Sequence, residues 1–118
     1  MSALDYLDKT DTVRIATELK AGGEVVTLIW AVVVDGVPYI RNAHGPSSKW
    51  FRRLLRDGSA VFIDGHERYP VTVREVDDEA TRARVDDAYR TKYAGQGSSV
   101  VSVTTEPVRS ATYEVVVE

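Results

Sequence analysis

Between residues 41 and 56 the sequence places Arg41, Lys49, Arg52, Arg53 and Arg56 with no acid among them. The whole chain has a formal net charge of −3, so this basic cluster is local and not a product of composition. The surrounding stretch, 39–56, reads as a strand end, a Gly45-Pro46 turn and then a helix starting at Ser47 or Ser48. A helix start presents free backbone N–H groups and the positive end of its dipole. Cations converging on such a start form a phosphate site. Arg41 ends the strand and reads either as a charge-assisted contact to a phosphate or as a solvated charge at a sheet end. Lys49 falls in the first helical turn, where a cation opposes the dipole unless an anion is bound. Arg52, Arg53 and Arg56 are spread around the helix at about 100° per residue, so they cannot all face one site.

Other chemistry is sparse. His44 and His66 stand alone and the chain has no cysteine, which argues against a metal site or a thiol nucleophile. Asp77-Asp78 and Asp86-Asp87 are adjacent pairs. Neighbours on a helix point in different directions, so neither pair is a carboxylate dyad. No Gly-x-Gly-x-x-Gly or P-loop is present. Lys92 and Tyr93 close a predicted helix, where a lysine suits the C-terminal dipole.

The elements that would hold the cluster follow from periodicity. Residues 2–8 predict a short helix with Leu4 and Leu7 on one side. Val13, Ile15, Thr17 and Leu19 alternate with polar neighbours and predict a half-buried strand. A turn at 21–24 leads to 25–34, which is nearly all apolar or β-branched and predicts a central strand covered on both faces. Asp35-Gly36 is a hairpin signal. Residues 37–41 return, with Pro38 suited to an edge or irregular position. The helix over 47–57 buries Trp50, Phe51, Leu54 and Leu55, and Gly58 is its C-cap. Strands follow at 60–63 and 66–76 around a second hairpin turn at Asp64-Gly65. A helix opens at Asp77 and ends near Ala94-Gly95. The apolar run 100–103 has no assigned role, and 112–118 is the last strand.

The composition bounds the rest. A chain of 118 residues with 43% hydrophobic and 28% charged residues predicts one soluble domain, 1–118, with a real core. A pI near 5.4 argues against nucleic acid as a partner. No apolar segment reaches the ~18 residues of a membrane span. The N-terminus carries acids and reads as no signal peptide, and the lack of cysteine suits a reducing cytoplasm.

About six strands in hairpins with two main helices predict a mainly antiparallel α+β fold that curls into a barrel. Tyr39-Ile40-Arg41, Gly45-Pro46, Trp50-Phe51 and Leu54 together resemble the split β-barrel of flavin- and deazaflavin-dependent oxidoreductases. That group includes deazaflavin-dependent nitroreductases and, more distantly, pyridoxamine-phosphate oxidases. Lys20-Ala21-Gly22-Gly23 resembles the Lys-small-Gly turn of those nitroreductases, although Glu24 and Val25 stand where they usually carry a basic residue. The segment 88–93, Ala-Tyr-Arg-Thr-Lys-Tyr, is similar to one in a family of short proteins of unknown function. The resemblance implies a six-stranded split barrel of FMN-binding type that takes FMN or a deazaflavin and a small-molecule substrate. It assigns Lys20, Arg41, Asn42, Lys49, Trp50 and Arg53 to the cofactor, with Trp50 read first as core and second as a stacking surface for the ring. A cofactor that carries the electrons would explain why no catalytic triad appears. A non-redox module binding a small molecule or protein is the alternative on the same fold. The resemblance also leaves a homodimer open, and a dimerising chain would expose an apolar patch on its sheet.

Overall fold

A computed structural model describes residues 2–42 and 48–118. Helix α1 (Ala3–Lys9) is capped by Ser2, whose hydroxyl accepts the Asp5 N–H at 3.1 Å. Strands β1 (Val13–Glu18), β2 (Glu24–Ile29), β3 (Ala31–Val34) and β4 (Val37–Arg41) follow. Then come α2 (Lys49–Asp57), β5 (Ser59–Asp64), β6 (Glu67–Glu75), α3 (Glu79–Lys92), α4 (Ser98–Val103) and β7 (Thr112–Val117). The strands form one antiparallel sheet in the order β2-β1-β5-β6-β7-β4-β3.

Among the described residues the sheet therefore has seven strands, not six. The extra one comes from the run 25–34, which breaks at Trp30 into β2 and β3. These halves occupy opposite edges of the sheet, so the expected central strand is two edge strands. One residue joins the two edges, which requires the sheet to curl until they meet. Only the second half is covered as expected. β2 leaves Val26 and Leu28 exposed at 47% and 60%.

Strand alternation divides the side chains between two cores. Ala31 and Ile40, paired across β3 and β4, join the barrel interior with Ile15, Phe62, Val71 and Val115. Val32 and Tyr39, the next pair, face a second cluster with Val85, Tyr89 and Tyr93 of the α3 segment and Val100 and Val103 of α4. α1 closes the barrel interior with Tyr6 and Leu7. The Tyr6 hydroxyl donates to the Ile63 carbonyl at 2.7 Å and accepts the Arg14 N–H at 3.0 Å.

Turns follow their chemistry. Asp35 and Gly36 both have positive φ, 49° and 81°, as a two-residue hairpin demands. The second hairpin turns at Gly65-His66 rather than Asp64-Gly65, because Asp64 already pairs with Glu67. Pro38 lies beyond the β4–β7 ladder, which begins at Tyr39, so no bond is lost there. α2 starts at Lys49 with Ser48 as its N-cap, next to the later of the two expected starts, and buries Trp50, Phe51 and Leu54 but leaves Leu55 45% exposed. Gly58, at φ 69°, is its left-handed C-cap. The unassigned run 100–103 is α4.

Candidate functional site

The five cations do not converge. Arg41, the last residue of β4, turns inward and is buried at 2% exposure. Its Nε donates to Thr112 Oγ1 at 2.8 Å, and its Nη1 donates to Asp86 Oδ1 at 2.6 Å and to the Val103 carbonyl at 2.7 Å. Nη2 donates to the Arg82 carbonyl at 3.0 Å, and the guanidinium lies 5.5 Å from the Tyr89 ring centre. It is neither a solvated charge nor an uncommitted anion contact. Asp86 balances it and is shared with Arg109, whose Nε donates to Oδ2 at 2.5 Å. Arg109 also pairs with Glu79. Asp86 is thus buried in this network, while its neighbour Asp87 points outward to Arg90.

Arg53 donates through Nε to Thr17 Oγ1 at 2.8 Å, and Arg56 donates to the Glu18 carbonyl at 2.7 Å while pairing with Asp57. Both lie across β1. Lys49 and Arg52 are exposed, and Lys20 is exposed in the β1–β2 turn. Asn42 is buried directly after β4. The Gly45-Pro46 turn, His44 and Ser47 lie outside the described residues. Ser48 caps α2 without a side-chain hydrogen bond. His66 is exposed in its turn, and among the described residues no three His, Cys, Asp or Glu side chains come together as a metal site.

Two of the predicted residues do meet. Arg41 and Trp50 both line a cavity of about 360 Å³, a volume in the range of small-molecule sites. Its apolar walls are Leu28, Ile29, Trp30, Trp50 and Val103, and its hydroxyls come from Thr12, Ser99 and Ser102. Trp50 is held edge-on to Phe51, centroids 5.5 Å apart at 76°. Trp30 stacks flat on Tyr93, at 4.1 Å and 7°. The Tyr93 hydroxyl accepts the Ala31 N–H at 3.2 Å and donates to the Asp11 carbonyl at 2.7 Å. Desolvation pushes the Tyr93 phenol well above its ordinary range, so it stays a neutral donor.

Lys92 does not serve the α3 dipole as its position predicts. Its Nζ donates to the Leu7 and Ala31 carbonyls, both at 2.7 Å, tying α1, β3 and α3 together. Burial lowers its pKa, opposed by Asp8 and Asp11.

Sequence reasoning missed Trp30, Thr12, Ser99 and Ser102. Trp30 was the available signal: a bulky, half-polar residue sits in the middle of a β-branched run. The serines fall on one face of α4 at three-residue spacing, a pattern visible only once that segment is known to be helical.

A flavin-type group can be weighed against these residues. Its planar ring suits the cavity, with two indoles, aliphatic walls and hydroxyls for a polar ring edge. For its phosphate, Arg41, Arg53 and Arg56 are committed to their own chain. Among the described residues of this stretch, the exposed Lys49 and Arg52 and the start of α2, next to Trp50 in the chain, are donors without such a commitment.

Residues 3–115 match the family described as "Uncharacterized protein conserved in bacteria (DUF2255)". No curated protein matches the sequence. Several solved structures share its fold. A conserved hypothetical protein, Rv2991, from Mycobacterium tuberculosis superposes with a TM-score of 0.64 at 20% identity, covering 98% of this chain and 78% of that one. An F420-H2 dependent reductase, FDR-A, gives 0.63 at 16%, covering 92% and 95%. A protein described as a domain-swapped dimer gives 0.62 at 17%, covering 94% and 81%. At these identities the likeness is one of fold, and it is the antiparallel, split-barrel-like fold that the central motif resembles.

Proposed function

Since the chain belongs to the bacterial family DUF2255, whose description names no activity, we propose its function from the cavity: a flavin- or deazaflavin-binding oxidoreductase of nitroreductase-like type. The observation that carries this reading is a single cavity walled by Trp30 and Trp50 and edged by the α4 hydroxyls. The F420-H2 dependent reductase on the same fold adds support. When bound, such a cofactor supplies the hydride or electron pair. The chain's own part is binding. Trp30 and Trp50 flank the ring, while Thr12, Ser99 and Ser102 meet its polar edge. Arg41 forms part of the inner wall, and Asn42 is buried next to it in the chain. Lys49, with the start of α2, takes the phosphate. Lys20 and Arg53 lie farther out in this scheme and contribute charge only. The substrate is a small molecule. Among the described residues no helix is long and apolar enough to cross a membrane, and a cytoplasmic location fits the reading.

The test is titration with FMN and with F420 at low salt, followed by quenching of the indole fluorescence. Saturable quenching by one of them is expected. No saturable binding of either overturns the proposal. A second reading, a non-redox binding module, draws on the internal commitment of Arg41, which leaves few cations for a phosphate. Riboflavin separates the two. If Lys49 holds the phosphate, FMN binds tighter than riboflavin by about 1–3 kcal/mol, the strength of a charged hydrogen bond. Equal affinities favour the module.

A neighbour of this fold is a domain-swapped dimer, Val26 and Leu28 of β2 and Val101 of α4 are exposed apolar side chains, and Leu28 also lines the cavity. These features fit a homodimer that covers β2.

A further inference from the structure

We infer that α4 is a latched wall of the cavity and that Arg41 is the positioning residue that holds the latch. The inference deepens the reading above, since it concerns access to that same cavity.

α4 is a poor helix by itself. It has six residues, Ser-Ser-Val-Val-Ser-Val, drawn from weak helix formers and too few to outweigh the cost of nucleation. Its N-cap is Gly97, at φ 57° and ψ −122°, and no side chain caps it. That backbone conformation is open to glycine and strained for other residues, so the chain enters α4 through a pivot. Tertiary contacts must therefore hold the helix. Val100 and Val103 supply the apolar ones, packed beneath it in the α3 cluster. The polar one is Arg41. Its Nη1 donates to the Val103 carbonyl, an acceptor in the last turn that no continuing helix can satisfy. The same Nη1 is fixed by Asp86 of α3, and Nε by Thr112 of β7. One rigid fork thus ties the end of α4 to the sheet and to α3. Ser99, Ser102 and Val103 of α4 form one side of the cavity, so seating α4 sets the width of the cavity.

Arg109 provides a contrast. It shares Asp86, Glu79 and Glu106 but donates nothing to α4. Both tryptophans of the chain line the cavity, so indole fluorescence reports on its walls.

The experiment is amide hydrogen exchange by mass spectrometry on the full chain, with acrylamide quenching of the indoles in parallel. In Arg41→Lys, which keeps the charge but loses the fork, exchange over 98–105 should quicken by at least about tenfold. α3 and β5–β6 should keep their protection, and quenching should rise. Asp86→Asn should loosen the same segment to a smaller degree, and it decides the matter if Arg41→Lys does not fold. Arg109→Gln should leave 98–105 as in the parent. Unchanged exchange over 98–105 in both Arg41→Lys and Asp86→Asn, uniform loss of protection along the chain, or equal loosening by Arg109→Gln would overturn the latch. These readouts need no cofactor. Absent FMN and F420 binding would remove the oxidoreductase reading and leave the latch in place, whereas saturable cofactor binding by the parent with unchanged exchange in both variants would do the reverse.

Discussion

At the scale of single residues, the cation that looked most available is the least so. Arg41 faces inward because its partners, Asp86, Val103 and Thr112, converge on it from α3, α4 and β7. Removing Arg41 leaves the buried Asp86 to Arg109 alone and takes the donor from the Val103 and Arg82 carbonyls, so Arg41→Ala should destabilise the fold by about 3–5 kcal/mol, read from urea unfolding. Loss under about 1 kcal/mol would mean that water replaces the guanidinium freely. Lys49 is the opposite case. It opposes the α2 dipole, so Lys49→Ala should raise stability by about 0.3–1 kcal/mol. The same change should erase the preference for FMN over riboflavin, and this can be followed in paired titrations. Singling out Arg41 was within reach of the sequence, because a lone cation ending an apolar strand is unusual. Its direction was not, since the anion that claims it lies 45 positions along the chain.

At the scale of elements, the local signals that could be read were those with local causes. Gly58 was legible as a cap because a left-handed residue after Asp57 ends the helix, and Asp35-Gly36 as a turn because both positions take positive φ. Gly58→Ala should cost about 1–2 kcal/mol from backbone strain alone, since an added Cβ meets nothing within 4 Å. Thermal melts check this, and an unchanged melting temperature would show that α2 can end elsewhere. The run 25–34 was misread because an apolar sequence does not say what covers it. A strand buried on both faces and an edge strand awaiting a partner are written with the same valines and leucines. α4 was illegible for a related reason: its six residues favour no helix, and only the packing of Val100 and Val103 makes one.

At the scale of the whole molecule, pH and self-association become the relevant tests. Burial, the largest cause, pushes the phenols of Tyr89 and Tyr93 above their ordinary value of 10.0. The unfolded chain then releases these protons first, so their stabilising share is complete below pH 10 and is lost as pH climbs past it. Lys92, lowered by burial from 10.5, acts the other way in the window below that value, gaining as pH rises. Two phenols outweigh one ammonium, so melting temperature should fall from about pH 10 upward, and Tyr93→Phe should flatten that fall. A flat profile in the parent would contradict the burial of both rings. The exposed β2 residues make a second prediction. Leu28→Glu should lower the sedimentation mass to that of one chain, and a parent already monomeric at high concentration would remove the dimer. The link at Trp30 bears on how the chain can be engineered. The two sheet margins meet through a single peptide linker, like a bracelet fastened by one clasp. Residues inserted at Asp35-Gly36 would only lengthen a loop, whereas residues inserted beside Trp30 would let the ribbon unroll. A split version of the protein should therefore be divided at the first position and never at the second.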